Sequence, residues 1–100
     1  MSRHETLRDL VLGSTANDYE SFSYIQEQIG RWVKQQEIAE FTVDEVAGEL
    51  EKLIRSGHIQ AYELSPKKPH SKVVEFSKDS LEELWYLVTP DGLKEVKAQE

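Results

Sequence analysis

The chain contains no cysteine, which excludes disulfides, a thiolate nucleophile and a cysteine-ligated zinc site, and fits a reducing compartment. Long apolar runs are missing too. The longest spans residues 84 to 88, far short of the roughly 20 residues that cross a bilayer. The first ten residues, MSRHETLRDL, are charged and hold no apolar core, so no signal peptide is expected there. The five glycines are isolated, and none forms a phosphate-cradling loop. Positive charge is scarce: 12 Lys and Arg stand against 19 Asp and Glu, a net of −7. Such a chain repels polyanions and gains no electrostatic attraction to anionic membranes. The expectation is a cytoplasmic protein without a membrane role.

What is present suits one small globular domain over residues 1–100, with 38% hydrophobic and 31% charged residues. The clearest element lies in FTVDEVAGELEKLIRSGHI, residues 41 to 59. Thr42 and Glu45 form a capping box, and Phe41 with Val46 a hydrophobic staple. Val43, Val46, Ala47, Leu50, Leu53 and Ile54 recur at helical spacing and predict one buried face. Gly57 supplies a left-handed stop. The opposite face then carries Asp44, Glu45, Gly48, Glu49, Lys52 and Arg55.

Other elements follow from the same rules. Ser2 and Glu5 offer a capping box for a first helix carrying Leu7, Leu10 and Val11, which ends at Gly13-Ser14. Residues 14 to 18 read as a loop, followed by a short strand at 19 to 22. Ser21 or Ser23 caps a second helix with Ile25, Ile29, Trp32 and Val33 on one face, fraying near residues 35 to 37. Alternation from His58 to Leu64 predicts a strand with Ile59, Tyr62 and Leu64 as its apolar positions. Pro66 and Pro69 interrupt regular structure, and residues 73 to 76 form a short strand. Asp79-Ser80 caps a single turn. Residues 84 to 89 return as a strand, and Thr89-Pro90-Asp91 starts a last helix over about 90–98.

A helix ending in LxxLIRSGHI and running into a strand resembles the recognition helix of winged helix-turn-helix proteins. WYLVTPDGLKEV, residues 85 to 96, is similar to the closing strand and terminal helix of bacterial MarR- or PadR-like regulators. The resemblance implies an α+β winged helix: three helices, a β-hairpin wing over about 58–89 and a short C-terminal helix. It also implies a regulatory setting and pairing of two copies through the terminal helices. Leu7, Leu10, Val11 and Leu12, with Leu93 and Val96, are the residues expected there.

No catalytic pattern is visible, and the expectation is not an enzyme, with no cofactor and no small-molecule substrate. His4, His58 and His70 lie in three different elements and lack metal-ligand spacing. His58 is expected on terminal carbonyls or on the strand's solvent face. Glu82 and Glu83 beside Asp79 read as a solvated turn rather than a cation site. Phe22, Tyr24 and Trp32 read as core rather than a stacking platform. Trp85 and Tyr86 are successive strand residues and must face opposite ways, so one is expected to be exposed.

Charge discriminates between functions. Asp44, Glu45 and Glu49 stand where a groove-reading helix needs hydrogen-bond donors. Each like-charge approach near 4 Å costs about 1 kcal/mol in water, and about 4 at an effective dielectric near 20. Residues 65 to 78 are the reverse: Lys67, Lys68, Lys72 and Lys78 against Glu75 give a net +3, so the rest of the −7 chain carries −10. The sequence therefore favours a non-catalytic module that binds a protein partner or itself. The rival is a transcriptional regulator that contacts duplex DNA weakly, its phosphates held by those four lysines. The same lysines also suit a mobile loop that guards a hairpin edge from aggregation.

Overall fold

The computed structural model describes residues 2–98. They form an α+β domain of four helices and one four-stranded antiparallel sheet. In chain order these are α1 (Arg3–Ser14), β1 (Glu20–Ser21), α2 (Phe22–Gln36), α3 (Val43–Arg55), β2 (Ile59–Leu64), β3 (Ser71–Val73), β4 (Trp85–Val88) and α4 (Pro90–Ala98). A 3-10 turn, Lys78–Ser80, lies between β3 and β4. The strands run β1-β4-β2-β3 across the sheet, so both edges are very short, which limits edge pairing. Among the described residues no helix is long and apolar enough to cross a membrane.

Helix starts obey side-chain capping chemistry. The hydroxyls of Ser2, Ser21 and Thr42 accept from the backbone N–H of Glu5, Tyr24 and Glu45. Glu45 completes the capping box by accepting from the Thr42 N–H at 3.0 Å. Glu37, at φ 55°, and Gly57, at φ 81°, end α2 and α3 in the left-handed region. The 3-10 turn is capped by Ser77, not by Asp79 or Ser80. β3 starts two residues before the expected position, because Ser71, Lys72 and Val73 pair with Leu64, Glu63 and Tyr62. The Val74 N–H still donates to the Ala61 carbonyl at 3.1 Å.

One core lies between the helices and one face of the sheet. It comprises Leu7, Val11 and Leu12 of α1, Phe22, Ile25, Ile29 and Val33 of α2, and Val46, Ala47, Leu50 and Leu53 of α3. Ile59 and Ala61 of β2 join it with Leu84 and Tyr86. The phase of β2 differs from the expected one: Ile59 and Ala61 face inward, and Tyr62 and Leu64 do not. The register explains it, since Ala61 lies opposite Tyr86. The small side chain leaves room for the large ring, which is fully buried and donates from its hydroxyl to the Leu81 carbonyl at 2.7 Å. Burial pushes the Tyr86 phenol well above its ordinary value.

The outward row is Trp85, Tyr62 and Val73, adjacent in register across three strands. Trp85 is 36% exposed and Val73 54%, while Tyr62 packs edge-on against Tyr19 with ring centroids 4.9 Å apart. Trp85 and Tyr86 thus take opposite faces, as strand geometry requires. Of the second-helix aromatics, Phe22 is buried and Trp32 packs against the core, but Tyr24 is exposed, contrary to expectation. Val43 is likewise exposed, since the first turn of α3 projects beyond the core. Leu7, Val11 and Leu12, expected to pair two copies, instead fill the core of a single chain.

Thr15 was legible only as loop, yet it is fully buried. Its hydroxyl donates to the Val11 and Leu12 carbonyls, and its own carbonyl accepts from the Val88 N–H at 3.1 Å. It therefore ties the end of α1 to the sheet.

Candidate interaction surfaces on the third helix and the hairpin

The third helix is positioned by its core residues, so its remaining side chains fall where α1 and solvent meet. Asp44, Glu45, Gly48, Glu49 and Lys52 line one groove with Arg3, His4 and Leu7 of α1 and with Phe41. Arg55 is not part of it. Arg55 forms an i,i+4 ion pair with Glu51 at 3.7 Å and borders a separate cleft against the sheet.

The five groove residues of α3 are not equivalent. Asp44, Glu45 and Lys52 are exposed and Gly48 is half-buried. Glu49 is only 4% exposed, which corrects the expectation of an open contact face: α1 packs against this side of α3 and covers it. Glu45 is occupied by the helix cap and lies 3.5 Å from the Arg3 guanidinium. Those contacts hold its carboxyl below the ordinary range, with the Thr42 backbone N–H as the largest cause. Arg3 also donates to the carbonyls of Ala39 at 3.0 Å and Glu40 at 2.7 Å, and stacks 4.0 Å from the Phe41 ring centre. The loop before α3 is thereby clamped to the start of α1.

A second polar cluster joins α1, α4 and the start of β2. Arg8 donates to Glu95, and His58 Nε2 lies 2.9 Å from the same carboxylate. His58 Nδ1 is 2.6 Å from the Ser56 hydroxyl. His58 thus bridges a helix end to α4 instead of capping carbonyls with its ring. The Arg8 hydrogen bond, then the charges of Arg8 and His58, hold Glu95 below its ordinary value despite desolvation. A lowered folded value adds stability that is present above the ordinary carboxylate range and lost as pH falls through the lowered value. Urea midpoints of wild type and Glu95→Gln are therefore expected to differ most above the ordinary carboxylate range and to converge as pH falls below it. A gap that does not change with pH would contradict this role for Glu95.

On the hairpin, Lys67, Lys68 and Lys72 border one groove together with Leu64, Pro69 and Trp85. Glu63 and Glu83 line it as well and temper its charge. Lys78 lies apart in the 3-10 turn. The structure therefore unites three of the four lysines and adds an exposed indole. Register alone puts Trp85 beside them, and no local motif signals that neighbour.

Among the described residues no group of three His, Asp or Glu side chains could hold a metal ion. His4 sits beside Glu49, His58 beside Glu95, and His70 beside the Ser65 carbonyl. Comparison of the chain with protein-family models, curated proteins and solved structures found no match.

Proposed function

We propose that this chain is a winged-helix-type, non-catalytic binding module of a regulatory system that engages a protein partner through the surface where α3 meets α1. The element order supports the winged-helix assignment: helix, strand, two helices, then three antiparallel strands, the first two joined by the extension carrying Lys67 and Lys68 and the second of them carrying Lys72, then a helix. The observation that carries the protein-binding reading is the exposed first turn of α3, which offers Asp44 and Glu45 to solvent where duplex recognition requires donors. Self-association is a second form of the same reading. It would draw on Leu10, Leu93 and Val96, the apolar residues of the terminal helices left half-buried.

The rival, duplex DNA binding, rests on the groove shared by Lys67, Lys68, Lys72 and Trp85. Three phosphate contacts give a log–log salt slope of about −3 and an affinity that fades at physiological salt. An anisotropy titration with random duplex DNA at about 50 mM salt separates the readings. No binding is expected, either for wild type or for the triple Lys67→Ala, Lys68→Ala, Lys72→Ala variant. Wild-type binding that disappears with the three lysines would replace the protein-binding reading with the DNA one.

A further inference from the structure

Glu49 is the one side chain in the described structure with a buried polar atom lacking any hydrogen bond. Its side chain is 3% exposed, and it borders the α1–α3 groove of about 450 Å³. His4 Nδ1 lies 3.3 Å from Oε1 but makes no aligned hydrogen bond to it. The other nearby cations make their hydrogen bonds elsewhere or are exposed. Arg3 is held by the Ala39 and Glu40 carbonyls and by Glu45. Arg8 donates its hydrogen bond to Glu95, although its charge also interacts with that of Glu49. Lys52, three residues along α3, is exposed and gives Oε1 no hydrogen bond. A buried carboxylate oxygen that accepts no hydrogen bond, with one histidine at 3.3 Å as its ionic neighbour, costs stability.

We infer that the α1–α3 groove receives a lysine side chain from a protein partner, with the Glu49 carboxylate as its anchor. This rests on the protein-binding reading above and names the chemistry of the contact. Leu7 and Phe41 supply apolar walls for the methylene stem, and Asp44 and Glu45 lie in the same groove as a negative rim. Among the described residues no three His, Asp or Glu side chains converge on one ion, so a buried carboxylate with apolar walls suits an ammonium donor better than a divalent cation, which requires several oxygen ligands at once. Charge complementarity extends to the whole chain, which at −7 favours a basic partner.

The test uses n-butylammonium chloride, a mimic of the lysine side chain, titrated into the full chain labelled with ¹⁵N, and 1-butanol as the neutral counterpart. Saturable shifts are expected at the amides of Leu7, Gly48 and Glu49 with the ammonium and not with the alcohol. Glu49→Gln is expected to weaken that binding at least tenfold while keeping a folded spectrum. His4→Ala uncovers the carboxylate and is expected to tighten binding; this variant keeps the proposal testable should Glu49→Gln not fold. Non-saturating shifts, equal binding of 1-butanol, or unchanged binding by either variant would overturn the lysine anchor. The readings fail separately: an absent ammonium site with no duplex binding removes only the anchor. Lysine-dependent duplex binding removes the protein-binding reading itself.

Discussion

Leu50→Ala is expected to cost about 2–5 kcal/mol, a large part of the stability of a domain this size. Leu50 is fully buried on α3 and belongs to the one core shared by the helices and the sheet. Shortening it removes apolar contact and leaves a cavity that the packed neighbours can fill only in part. The lost stability is read as a lower urea midpoint at unchanged slope. Val43→Ala is the control on the same helix. At 55% exposure its side chain contributes little, and a shift within about 0.5 kcal/mol is expected. Equal effects from the two substitutions would mean that α3 is rotated from the orientation described.

Gly92→Ala is the second large effect, and its sign is the informative part. Alanine in a helix ordinarily stabilises by about 1 kcal/mol relative to glycine. Gly92 lies in α4 but is buried, and a Cβ there would collide with the His58 carbonyl oxygen and crowd the Val88 side chain. That carbonyl also accepts from the Thr89 N–H at 3.0 Å, and the Thr89 hydroxyl bonds both the Gly57 carbonyl and the Gly92 N–H. The backbone cannot yield without breaking the start of α4, so a loss of about 1–3 kcal/mol or more is expected. Gly30→Ala in α2, where a Cβ meets nothing within 4 Å, should instead raise stability by about 0.5–1 kcal/mol. Thermal melts of the pair check the contrast, and a stabilised Gly92→Ala would show that α4 does not approach His58 this closely.

Local chemistry accounts for what could be read from the residues alone. The capping box at Thr42 and Glu45, the stop at Gly57 and the Thr89-Pro90 helix start each depend on groups within a few residues of one another, and each was found in place. Most buried apolar positions of α2 and α3 followed from helical spacing; Val43 and Tyr24 are exposed and Trp32 and Ile54 only partly buried, at the margins of the core, while the buried Glu49 did not follow from spacing. Strands were less legible. Ala61, not Tyr62, faces inward, because a cross-strand partner, Tyr86, decides which neighbour has room.

The candidate site was legible only as a set of charges. Sequence spacing placed Asp44, Glu45 and Glu49 on one side of α3, and chain composition placed lysines in the hairpin. Periodicity has no knowledge of which neighbour covers a polar side. Packing of α1 against α3 buried Glu49 while leaving Asp44 in solvent, and brought Arg3, His4, Leu7 and Phe41 into the same groove. Strand register set Trp85 beside Lys67, Lys68 and Lys72. The sequence by itself determined the helices, their caps and most of the core, since those depend on spacing and nearby hydrogen bonds. Which charged groups are buried, paired or open to a partner was decided by tertiary structure, because that depends on residues distant in the chain meeting across a helix–helix or strand–strand contact.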